Sequence, residues 1–235
     1  MFVTLCKCGL TKAKLAVLFL WHCVGSCGSL RRRGWRYQEA FLLTGTKAYM
    51  KRAVACWRLA ARRGDLAGMR SWGACLATGE GCRKDMARAV ACYKAAAAGG
   101  DVVAIHNLGA CYSVGDGVPR DAKEAVRLLS QSAKKGFKWS VYFLGMHLCH
   151  GDGCDQDVER AFRCFRYAAR RGIPNAQYDL AVCYANGEGV KRSALFAILW
   201  LLIAALRGCR AASSIIEGDL LVAWLDGEVG LGDVS

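Results

Sequence analysis

The sequence predicts an all-α fold: a right-handed α/α superhelical solenoid of about five 36-residue helix-turn-helix repeats, closed by a C-terminal capping helix. Three observations lead there. Three small-residue columns recur with a period of 36: Gly45, Gly81, Gly117, Gly153 and Gly189; Ala53, Ala89, Ala125, Ala161 and Ala197; Gly64, Gly100, Gly136, Gly172 and Gly208. Between those columns the apolar residues follow helical rather than strand spacing. Finally, 235 residues contain 27 glycines but only 2 prolines, so glycine must punctuate the chain. A fixed period of this length marks a repeat array, in which one helix pair cannot bury its apolar stripe alone and does so against its neighbours.

Residues 1–30 admit two readings. Lys7, Lys12 and Lys14 precede an apolar stretch from Leu15 to Val24, and Gly25, Ser26 and Gly28 follow, as in a cleavable secretory signal. Alternatively, Gly9, Trp21 and Gly28 each lie 36 before Gly45, Trp57 and Gly64, as in the last helix of a degenerate repeat. Arg31, Arg32 and Arg33 directly afterwards tilt the expectation towards an intracellular protein.

Residues 31–210 divide without insertion into repeats 31–66, 67–102, 103–138, 139–174 and 175–210. The third shows the grammar. Ala104, Leu108, Cys111 and Tyr112 define a first helix, A, which Gly115-Asp116-Gly117-Val118 stops. Asp121 and Glu124 then read as the N-cap and capping box of a second helix, B; Asp85, Asp157 and Ser193 share the Asp121 column. Repeat one carries Leu43 where the others have the first turn glycine, so its helix A is the least defined.

These residues resemble the Sel1-like repeat family, a branch of the tetratricopeptide-like solenoids. Its pattern is matched by Ala104, Leu108-Gly109, Tyr112, Gly115-Asp116-Gly117-Val118, Asp121, Ala125, Ala133 and Gly136, and again by Ala176, Leu180, Tyr184, Gly187-Glu188-Gly189-Val190 and Ala197. Cys82 and Cys154 replace the family's valine in repeats two and four. The resemblance implies an adaptor that brings proteins together without catalysis or cofactor.

At the C-terminal end, Ala194–Leu206 is thirteen consecutive apolar residues, too short to span a bilayer. Such a helix requires cover, and residues 211–235, with Ile215, Ile216, Leu220, Leu221 and Trp224, are expected to supply a capping helix and tail; the alternative is a surface for membrane contact or dimerisation.

No phosphate-binding loop, dinucleotide fingerprint or nucleophile elbow is present, and no catalytic residue is expected. Carboxylates fall chiefly at helix B starts, where they complement the helix dipole. His147, Cys149, His150 and Cys154 form the densest Cys/His group, but no paired Cys-x-x-Cys accompanies them and no metal is assigned. The 14 cysteines fall mostly in core columns. Cys56 with Cys75, Cys92 with Cys111, and Cys164 with Cys183 recur 19 apart, which predicts thiols facing each other across an inter-repeat hairpin, in contact or bridged as disulfides in an oxidising compartment.

Two surfaces are candidates for a partner. The first is on helix A, where the row Arg70, His106, Tyr142 and Tyr178, with Asn107 and Asp179 one column over, points away from the Leu108 stripe and either presents hot-spot residue types to a protein or packs as partly buried aromatics between neighbouring repeats. The second is a basic edge at helix B ends: Arg62, Arg63, Lys134, Lys135, Arg170 and Arg171. A net charge of +14 favours acidic partners there: an acidic protein, or in the alternative RNA or an anionic membrane. The sequence does not name the partner.

Overall fold

A computed structural model describes residues 27–217, and within them every regular element is an α-helix. The eleven are α1 (Cys27–Thr44), α2 (Lys47–Arg62), α3 (Leu66–Thr78), α4 (Met86–Ala98), α5 (Val102–Val114), α6 (Ala122–Lys134), α7 (Lys138–His150), α8 (Val158–Arg170), α9 (Pro174–Asn186), α10 (Ala194–Leu206) and α11 (Arg210–Glu217). Odd-numbered helices from α1 to α9 are the predicted A helices and even-numbered ones the B helices. Residues 1–26, on which the signal and degenerate-repeat readings fall, lie outside the described residues, as do Leu220, Leu221 and Trp224. The chain forms two compact units, one up to Cys92 and one from Tyr93.

The turn from A to B is built alike in repeats two to five. Gly79, Gly115, Gly151 and Gly187 cap α3, α5, α7 and α9 in the left-handed region, each N–H returning to a carbonyl four residues back. The turn closes when the N–H of Asp85, Asp121, Asp157 and Ser193 donates to the carbonyl of Leu76, Tyr112, Leu148 and Tyr184, at 2.8–2.9 Å. Those same residues then cap helix B: Asp85, Asp121 and Asp157 carboxylates accept from the N–H three residues on at 2.9–3.0 Å, and Ser193 Oγ from Phe196 N–H at 3.5 Å. The expected capping box is incomplete, because the Glu124 carboxylate turns to Arg127 with two 2.6 Å bonds.

The second turn glycine of repeats two, four and five solves a packing problem. At Gly81 φ is +73°, and a Cβ would lie 2.8 Å from the Met50 carbonyl carbon. At Gly189 φ is +66°, and a Cβ would collide with the Val158 carbonyl. The turn thus rests directly on the start of the preceding repeat's helix B, and no side chain fits between.

Repeat one departs from this plan. Leu43 does not stop the helix, so α1 runs to Thr44, and α2 begins at Lys47 after two residues rather than seven. Leu42 and Leu43 are exposed in consequence. The first unit's core gathers Met50, Ala53, Val54, Trp57 and Cys75 with Tyr37, Phe41 and Trp72. Gly34 lies against the Trp57 indole, where a Cβ would overlap the ring.

In the second unit α5 to α10 pack as antiparallel pairs, and each B helix also packs on the next A helix. One cluster joins Tyr142, Leu148, Phe162, Phe165, Ile173, Leu180 and Cys183; the next joins Tyr178, Ala181, Leu201, Ala212 and Ile215. The alanine column Ala53, Ala89, Ala125, Ala161 and Ala197 is 0% exposed throughout, as a small residue at a close helix crossing must be. Burying a large side chain such as Leu201 or Ile215 contributes roughly 1.5–3 kcal/mol each before entropy.

α11 covers only part of α10. Ala212 and Ile215 close over Ala197, Leu201 and Ala204, but the opposite side of α10 stays open, with Leu195 74% and Leu206 88% exposed. α11 meets α10 from one side, and the rest of the expected cap, residues 218–235, lies outside the described residues. No single described helix is long and apolar enough to cross a membrane, and α10 and α11 form a bent pair at 118°.

Candidate functional site

The His106 row occupies equivalent positions on α3, α5, α7 and α9, and its two tyrosines pack between repeats rather than on the surface. Tyr142 and Tyr178 are buried, at 7% and 9% exposure, and belong to the two core clusters of the second unit. In an array an A helix has neighbours on both sides, so a side chain turned from its own repeat's stripe meets the adjacent repeat rather than water. Arg70, His106, Asn107 and Asp179 are half-buried.

His106 Nδ1 lies 3.0 Å from Ser140 Oγ, and Phe137 and Phe143 approach its ring at 5.1 and 5.3 Å, both edge-to-face. Burial pushes its pKa down to about 4, so the ring is neutral at physiological pH and offers no cation. Ser140 Oγ in turn donates to Ser132 Oγ at 2.7 Å, and Ser132 Oγ to the Val102 carbonyl at 3.0 Å. This chain ties α5, α6 and α7 together through groups that would otherwise be buried without partners.

Tyr142 and Asp179, from adjacent repeats, are brought together. Burial raises the Asp179 carboxyl to about 6, against the opposing pull of the Tyr142 hydrogen bond and of His150. The Tyr142 phenol is pushed far up by burial and by that carboxylate, so it stays protonated and donates. The pair is a buried hydrogen-bonded link between α7 and α9, with Tyr178 and Cys209 close by.

All six residues of the basic edge are exposed. In the second unit Lys134, Lys135, Arg170 and Arg171 stand at the C-terminal ends of α6 and α8, where cations complement the helix dipole. Lys135 Nζ donates to the Gly100 carbonyl at 3.4 Å, and the Arg171 guanidinium lies 3.4 Å from the Tyr167 ring centroid. Arg62 and Arg63 take the same place at the end of α2 in the first unit.

Cys56, Cys75, Cys92, Cys111, Cys164 and Cys183 form no disulfide in this structure. Two of the buried members have a further thiol nearby. Cys75 sits beside Cys82, whose thiol donates to the Cys75 carbonyl at 3.4 Å, and Cys183 sits near Cys149. Burial pushes Cys75 and Cys183 up to about 12 and Cys111 to about 11, so these side chains behave as small apolar groups at neutral pH.

The Cys/His group is likewise committed to structure. His147 Nε2 lies 3.0 Å from Ser113 Oγ, and its Nδ1 lies 2.9 Å from the Asp152 carbonyl. The Asp152 carboxylate receives Arg120 at 2.7 Å through both oxygens. His147 thereby joins α5, α7 and the turn after α7, and among the described residues no three His, Cys, Asp or Glu side chains converge on a common point.

The open side of α10 departs from the capped helix that the sequence favours, and the signal for it is the leucine spacing inside the apolar run.

Comparison with known proteins agrees with this architecture. The Sel1 repeat profile matches residues 41–65, 66–101, 102–137, 140–173 and 174–209, most of the chain. The fold resembles the crystal structure of a Sel1 repeat protein from Oxalobacter formigenes, with a TM-score of 0.74, 24% identity, and 88% of this chain and 86% of that one covered. It also resembles c5321, a protective antigen of uropathogenic Escherichia coli strains, with a TM-score of 0.73 and 26% identity over 92% of this chain; the match spans 49% of that protein. No curated protein sequence matches the chain significantly. The molecule is an all-α helical-repeat protein. It belongs to the Sel1 repeat family, whose members are generally protein-interaction scaffolds.

Proposed function

We propose that this chain is a non-catalytic scaffold that recruits an acidic protein partner through the cationic ends of its B helices. The observation that carries the reading is that Lys134, Lys135, Arg170 and Arg171 are all exposed at matching positions of successive repeats, while the tyrosines of the His106 row are committed to the core. Regular spacing of like charge along an array suits an extended acidic segment, and the net charge of +14 attracts it from a distance. Arg70, His106, Asn107, Tyr142, Tyr178 and Asp179 then act on recognition by fixing how adjacent repeats stack, not by touching the partner.

The test is binding of an unstructured polyglutamate peptide and of a single-stranded RNA to the wild type and to a variant with Lys134, Lys135, Arg170 and Arg171 changed to Gln. The expected result is peptide binding that weakens with salt and falls at least about tenfold in the variant. RNA bound more tightly than the peptide, with the same loss in the variant, would replace the protein partner by nucleic acid.

A further inference from the structure

α10 is the only described B helix whose outward column is leucine. Leu195, Leu199, Leu202 and Leu206 are 74%, 46%, 44% and 88% exposed, and Phe196 beside them is 47% exposed. One period earlier the column reads Glu159, Arg163, Arg166 and Arg170 on α8; before that Lys123, Arg127, Ser130 and Lys134 on α6; and on α2 it reads Lys51, Ala55, Arg58 and Arg62. On α6 and α8, which do have a following repeat, every one of these positions except half-buried Ser130 is exposed. A sixth repeat would therefore leave the α10 leucines open, and the end of the array does not account for them.

We propose that this face pairs with the same face of a second copy of the chain. The leucines are spaced four, three and four apart, which is the alternating core spacing of a two-helix seam. That spacing reads the same in both directions. An antiparallel pair about a two-fold axis therefore sets Leu195 against Leu206 of the second copy and Leu199 against Leu202 of the second copy, a self-complementary contact. α10 itself carries no charged residue, so no like charges meet within the helical seam, whereas the arginines and lysines of α6 and α8 disfavour the same pairing there. The exposed parts of the five side chains amount to roughly 500 Å² per chain, in the upper part of the range for the largest apolar patch of a monomer, and a symmetric pair that covers them fully removes about 1,000 Å² from water, the lower bound for a specific interface. An interface of that size makes the dimer a weak and reversible one.

The experiment is sedimentation equilibrium of the full chain in reductant, from low to high micromolar, alongside two double variants. Leu199→Arg with Leu202→Arg installs the residues that α8 carries at this column, Arg163 and Arg166, on a fold that already accommodates them; Leu199→Glu with Leu202→Glu is its counterpart. The wild type is expected to reach a dimer, each variant to remain monomeric with unchanged helical circular dichroism, and an equimolar mixture of the two variants to recover the dimer, since position 199 faces position 202. Should either variant lose helicity, the same charges at Leu195 and Leu206, near the helix ends, make the equivalent pair. A wild type that stays monomeric overturns the proposal, whether residues 218–235 fold over the face or the chain partitions into phosphatidylcholine vesicles. So does a dimer that survives both substitutions.

Discussion

His106 and Asp179 are each buried enough to make proton binding part of folding, and they act in opposite directions. His106 has its pKa lowered from 6.5 to about 4, so its contribution to stability is complete above pH 6.5 and is lost as pH falls through 4. Asp179 is raised from 3.8 to about 6, so its contribution is complete below pH 3.8 and is lost as pH rises through 6. Replacing Asp179 by Asn should keep the Tyr142 hydrogen bond and raise stability at pH 7 by on the order of 2–3 kcal/mol, with no gain at pH 3.5. Replacing His106 by Gln should remove much of the loss between pH 6.5 and 4. Urea midpoints of the three proteins at pH 7 and at pH 4 check both signs; an Asp179→Asn protein less stable than wild type at pH 7 would show that the carboxylate is stabilised by its neighbours instead. At this scale the caps Asp85, Asp121, Asp157 and Ser193 were legible in the sequence because capping is a three-residue relation. Tyr142 and Tyr178 were legible only as an even choice between a partner surface and packing between repeats, because their cover comes from a neighbouring repeat that looks like solvent when one helix is read alone.

Helices report the same distinction between local and neighbouring causes. Stops at Gly79, Gly115, Gly151 and Gly187 were legible because a left-handed cap is a property of one residue. The long α1 follows from the missing glycine at Leu43. On α10 the thirteen-residue apolar run hid two different surfaces that hydrophobicity alone does not separate. Leu201 is 0% exposed against Tyr178, Ala181 and Ile215, whereas Leu195 is 74% exposed. Leu201→Ala should therefore cost about 2–5 kcal/mol through the lost contacts and the cavity left behind. Leu195→Ala should change the stability of the monomer by less than about 0.5 kcal/mol. Denaturant titration at submicromolar concentration, below any self-association, separates the two; equal losses would place both leucines in the core.

Across the whole molecule, the fold class was the most legible feature and the identity of the partner the least. Periodicity is counted over five copies, so an error in one, such as Leu43, does not obscure the plan. A binding surface is written once, in side chains that the plan leaves free, and no second copy exists against which to read it. The α10 leucines show the remedy, since comparing each repeat with its siblings makes a single deviating column visible without any relative in hand.

The backbone bond that closes each A-to-B turn has a consequence for how such a chain lengthens and shortens over evolutionary time. Asp121 closes on Tyr112, Asp157 on Leu148 and Ser193 on Tyr184, always nine residues back, so every turn is complete within its own repeat. A segment of one period can therefore be excised without orphaning a backbone donor or acceptor of the turns on either side. Deleting residues 139–174 joins Lys138 to Asn175, the first turns of two equivalent helices, and should give a shorter protein with the same ellipticity per residue and a lower melting temperature, one interface between neighbours having been lost. If the spliced protein loses its helicity, the repeats are not interchangeable parts, and growth by duplication would have required each junction to be rebuilt.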